Sequence, residues 1–125
     1  MIKKRGNLAK QVGIVLLIVV VATLIDWGVH SSRPEFFVDF EYYRNKIIFA
    51  TLWGLVALWI ASKYRIESTN KRALIFAGLI SVVLQTKYFL QGYDLFFVFL
   101  FMFLHFFMFL IPALIAFNKY KKIFA

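Results

Sequence analysis

Four long apolar stretches, at residues 11–29, 46–62, 73–90 and 95–117, fill most of this 125-residue chain and leave only short charged connections between them. A run of about 20 apolar residues, rising 1.5 Å each as a helix, matches the roughly 30 Å hydrocarbon core of a bilayer. Inside lipid a segment must satisfy its own backbone groups, and a helix does so without a partner. The sequence therefore predicts an all-α, polytopic integral membrane protein: a single domain, residues 1–125, forming an antiparallel bundle of four transmembrane helices. The expected spans are residues 8–30, 46–62, 73–90 and 95–117, with an outer loop at 31–45 and a cytoplasmic loop at 63–72.

Hydrophobic residues make up 62% of the chain and charged residues 17%, too few polar groups to coat a water-soluble particle of this size. The net charge of +9 is distributed by segment. Lys3, Lys4, Arg5, Lys10, Lys63, Arg65, Lys71, Arg72, Lys119, Lys121 and Lys122 fall at one end of the expected bundle. Five of the six acids, Asp26, Glu35, Asp39, Glu41 and Asp94, fall at the other. The positive-inside rule then puts both termini in the cytoplasm. The basic segments are accounted for by anionic headgroups, so nucleic acid is not expected as a partner. The expected location is a membrane crossed several times, the cell membrane above all. The first span has the basic, then apolar, build of a signal peptide, but Leu24-Ile25-Asp26-Trp27 offers no small-residue cleavage site, so it is read as a retained helix.

Within 31–45, at about 100° per residue, Phe36, Phe40 and Tyr43 share one face. That pattern fits either a short interfacial helix with Pro34 in its first turn or an irregular loop with aromatic anchors. Lys46 and Lys63 bracket a short second span and are expected to snorkel. Ala50, Gly54 and Ala57 offer a small-residue face for close helix approach. The fourth span is crowded with phenylalanine and contains Pro112.

Chemistry is expected where polar groups are costly. Asp26, Lys87 and His105 are the ionisable candidates, with Gln85, Thr86 and Thr51 as neutral companions along a polar interior or transport path. Depth counting puts Asp26 and Lys87 within about 8 Å of the outer boundary, which predicts an ion pair between them, and His105 about 15 Å deep. Asp26 and His30, four residues apart, share a helix face and form a weak candidate metal pair, with His105 expected too deep to join them. There is no His-Glu-x-x-His, Gly-x-Ser-x-Gly, phosphate loop or cysteine, so neither an enzyme signature nor a cofactor is expected. The leading expectation is a non-enzymatic helical subunit or binding module, a homo-oligomer or part of a membrane complex. The alternatives are a protomer of a small oligomeric transporter or channel using Asp26, Lys87 and His105, and a membrane metalloenzyme with Asp26 and His30 at the outer face.

Overall fold

The computed structural model describes the backbone of residues 2–124 and the side chains of residues 8–124. It is 87% helical, with no strand among the described residues. The helices are α1 (Ile2–Ser31), α2 (Phe40–Lys63), α3 (Thr69–Leu90), α4 (Leu95–Lys119) and a terminal turn, α5 (Lys121–Phe124). A 3-10 turn, Pro34–Phe36, follows α1. The first four helices are long and apolar enough to cross a membrane, with mean hydropathy of 2.6, 1.5, 1.7 and 2.6 over their most apolar stretches. Each packs on its sequence neighbour, and α1 closes the ring against α4.

The chain reverses where local chemistry requires it. Arg65, at φ 54, and Gly92, at φ 88, occupy the left-handed position just past α2 and α3. In both cases the next amide reaches back to a carbonyl of the last turn, Ile66 to Ala61 at 2.9 Å and Tyr93 to Tyr88 at 3.2 Å, which is the Schellman pattern that satisfies orphan carbonyls. Ser68 caps the start of α3 by accepting from the Lys71 amide at 3.4 Å. Pro34 stands at the first position of its 3-10 turn, where its missing N–H costs nothing.

Side-chain size is distributed as lipid would require. Leu17, Leu24, Leu52, Trp59, Phe103 and Ile115 face outward, while Ala22, Ala50, Ala57, Ala73, Ala77 and Ala113 are buried. Association without a hydrophobic driving force depends on close backbone approach. Gly54 marks the tightest point: a Cβ there would sit 2.5 Å from Phe76 Cε2 and 3.2 Å from Val15 Cγ1.

Two expectations change. The segment 36–43 is not one amphipathic helix, because Phe37–Asp39 is extended and Phe40 opens α2. No Gly or Pro interrupts Phe40–Trp53, so the helix starts six residues before Lys46 and reaches 24 residues. Lys46 is consequently inside the helix, fully buried, rather than snorkelling from its end.

Replacing Gly54 with Val should lower detergent stability by about 1–3 kcal/mol through overpacking. Gly28→Ala, where nothing lies within 4 Å, should leave thermal unfolding unchanged or slightly improved. Equal melting temperatures for the Gly54 variant and the parent would contradict this packing.

Candidate functional site

Asp26 is fully buried on α1 and collects three basic side chains from three helices. Lys46, from α2, donates to its Oδ2 at 2.5 Å. His30, one turn further along α1, places Nε2 3.3 Å from Oδ1. His105, from α4, places Nε2 3.2 Å from the same oxygen. The ammonium of Lys46 also lies 5.5 Å from the Phe109 ring centroid and 6.0 Å from that of Tyr42, faces that attract a cation.

A second ring of contacts fixes both imidazoles. His30 Nδ1 lies 2.6 Å from the Phe36 carbonyl, which can only accept, so this nitrogen carries a hydrogen. Gln85 Nε2 donates to the Val98 carbonyl at 2.7 Å, which turns Gln85 Oε1 towards His105 Nδ1, also at 2.7 Å. His105 Nδ1 therefore carries a hydrogen too. In neutral rings both Nε2 atoms would then present lone pairs to a carboxylate oxygen. The contacts become hydrogen bonds only when a further proton sits on a ring or on the carboxyl. The Tyr42 hydroxyl, 3.3 Å from His30 Nε2, is a donor to that ring in its neutral form.

Charge decides what the centre can hold. One carboxylate and one proton-bearing base sum to zero, and that sum is the same whether the proton is on Lys46, His30 or His105. Spacing alone would also suit a metal, since the ligand atoms of Asp26, His30 and His105 lie within 4.8 Å of one another. Edges of 3.2 and 3.3 Å match the roughly 3.3 Å between ligands of a tetrahedral ion at about 2.0 Å. With Lys46 already neutralising Asp26, however, a divalent ion would leave two uncompensated positive charges in a buried site, each costing several kcal/mol. A proton fits the charge inventory better.

The expected Asp26–Lys87 pair is replaced by Asp26–Lys46. Lys87 is only partly buried, with Nζ 4.9 Å from the Phe49 ring centroid. The expected depth separation between His105 and the Asp26–His30 pair is also corrected. Depth counting assumed level helix ends, but the His30 ring stacks on Phe101 at 4.4 Å, six residues inside α4. The end of α4 thus projects about 9 Å beyond that of α1, and one turn inward from His30 and Phe101 brings Asp26 against His105. Gln85 joins the centre, whereas Thr86 is exposed and donates back to the Val82 carbonyl at 2.8 Å. Thr51 keeps a buried hydroxyl with no partner and does not touch Asp26.

The centre has different neighbours at its two ends. Towards the basic end it is closed by buried apolar side chains that include Val15, Val19, Phe76, Phe109 and Phe117, and the Thr23 hydroxyl there bonds its own helix at Val19. Towards the acidic end, Tyr42 and Tyr88 stack at 4.9 Å and line a polar cavity of about 190 Å³ with Asp39, Glu41 and Lys87.

Lys46→Met should cost about 3–5 kcal/mol, because it strands a buried carboxylate. Adding Asp26→Asn should restore most of that loss, and Lys87→Met should change detergent stability by less than about 0.5 kcal/mol. Recovery of Asp26→Asn by Lys87→Met but not by Lys46→Met would reassign the partner.

Comparison with family models, with curated proteins and with solved structures finds no match, so the functional reading rests on the geometry around Asp26.

Proposed function

We propose that this chain is a multi-pass membrane protein with both termini in the cytoplasm, and that its buried centre takes up and releases a proton through the outer, acidic end. The carrying observation is that two imidazoles with committed Nδ1 atoms converge on one carboxylate oxygen that a lysine already neutralises. Such an arrangement shifts one proton among its bases at constant charge, and uptake of a further proton from solution adds one positive charge where a divalent ion would add two. Tyr42 is the relay: its hydroxyl faces His30, and its side chain lines the outer cavity. This favours a protomer of a small proton-coupled transporter over a passive structural subunit, because the Asp26–Lys46 pair alone neutralises the buried charge and the two further imidazoles add exchangeable proton positions. The metal-site reading keeps two ligand edges of 3.2 and 3.3 Å in its favour and lacks a compensating charge.

The orientation is tested by reporter fusions. Fusions at Asn118 and in the Glu67–Asn70 loop should report cytoplasm and a fusion at Asp39 the outside, whereas a cytoplasmic Asp39 would overturn the arrangement.

Proton handling is tested in nanodiscs by following the ¹⁵N resonances of both histidines and the proton uptake after a pH jump. The resonances of the two rings should change together as the centre binds and loses its proton, and Asp26→Asn should uncouple them. Tyr42→Phe should preserve the amount of proton bound but slow its uptake at least about tenfold, equivalent to about 1.4 kcal/mol of barrier. Rings that stay in one state throughout, or uptake indifferent to Tyr42→Phe, would sink the reading.

A further inference from the structure

The polar cavity at the acidic end contains charges of both signs that do not pair with one another. Asp39 and Glu41, at the start of α2, and Lys87, on the last turn of α3, all line it. Among the described residues no ion pair joins Lys87 to either acid. Three tyrosines, 42, 88 and 93, complete the wall. Tyr88 is 2% exposed, and its hydroxyl has no hydrogen-bond partner. A buried hydroxyl left without a partner is costly, and the side chain that carries it lines the cavity beside Lys87 and the two acids. Burial and the Asp39 carboxylate hold the Tyr93 phenol above its ordinary range, which keeps it a neutral donor.

We propose that this cavity binds a small zwitterion of the α-amino-acid class. The ammonium would sit with the Asp39 and Glu41 carboxylates and the tyrosine faces, which attract cations. The carboxylate would take Lys87 and the free Tyr88 hydroxyl. A purely cationic ligand would meet Lys87, and a purely anionic one would meet two acids, so the mixed lining selects a molecule carrying both charges close together. Size is compatible with this class: the cavity, of about 190 Å³, has room for glycine or alanine. Tyr42 belongs both to this cavity and to the contact with His30. Coupling of the ligand to proton release therefore rests on the proton-handling reading above, whereas binding itself does not.

The test is isothermal titration of the full chain in nanodiscs with glycine, alanine, acetate and choline, with a pH dye recording proton exchange in the same cell. Glycine and alanine should bind at least about tenfold more tightly than acetate or choline, a gap of about 1.4 kcal/mol. Tyr88→Phe, which keeps the ring, and Lys87→Met should each weaken binding about tenfold while leaving the proton uptake after a pH jump unchanged. No heat with either amino acid, or acetate or choline binding as well as glycine, would overturn the proposal. Amino-acid binding without proton exchange would leave the zwitterion site standing and remove the coupling. Intact proton uptake with no amino-acid binding would do the reverse.

Discussion

The charged centre of the interior depends on the carboxylate of Asp26. A single ionised group at this position would be prohibitively placed in an apolar bundle, and each of the other three large helices makes a contribution to containing it. Helix α2 supplies the ammonium of Lys46, α4 supplies His105, and α3 supplies Gln85, which holds His105 in orientation. Such a network specifies helix register as well as charge, because sliding any helix by one residue would rotate a donor out of reach. The small-residue packing around Gly54 sets how closely the helices approach, and the Asp26 network sets which residues then face one another.

The distribution of apolar groups complements this. Buried alanines and Gly54 let the backbones approach, and Ile18, Phe76, Ile80 and Leu84 fill the space between them, so the bundle combines backbone proximity with buried bulk. On α4, Phe101 and Phe109 are fully buried beside His30, His105 and Lys46. These rings exclude water from the charged centre and present faces rather than competing donors. A bulky aliphatic would fill the same space without attracting the lysine.

The sequence exposed the four helices plainly, since unbroken apolar runs of this length have few other outcomes. It also marked Asp26, His105 and Gln85 as polar groups in costly positions, together with Lys87, Thr86 and Thr51, which lie apart from the centre, and it paired His30 with Asp26 only as a weak metal candidate. The partner of Asp26 was not legible, for a specific reason. Lys46 stands at the visible beginning of an apolar run, where a lysine ordinarily reaches the interface, and only the continuation of α2 back to Phe40 brings it inside. The meeting of His105 with His30 was hidden by the unequal projection of α1 and α4, which depends on how the Pro34–Phe36 turn folds against Phe101. Helix existence is written in composition, whereas relative helix height is set by packing between distant segments.

That unequal projection has an electrical consequence. Asp26 lies five residues from the end of α1, whereas His105 in the same centre lies ten residues from Leu95 at the start of α4, so in the proposed arrangement the centre is roughly 8 Å from the outer end of one helix and roughly 15 Å from that of the other. A transmembrane voltage acts on a moving charge in proportion to the share of the field it crosses, about 2.3 kcal/mol per 100 mV for a complete crossing. In that arrangement a proton travelling between the centre and the acidic end would cross about a quarter to two fifths of the bilayer and feel roughly 0.5–1 kcal/mol per 100 mV. A change of one pH unit in the outer solution, about 1.4 kcal/mol, would shift occupancy of the centre more than 100 mV of membrane potential.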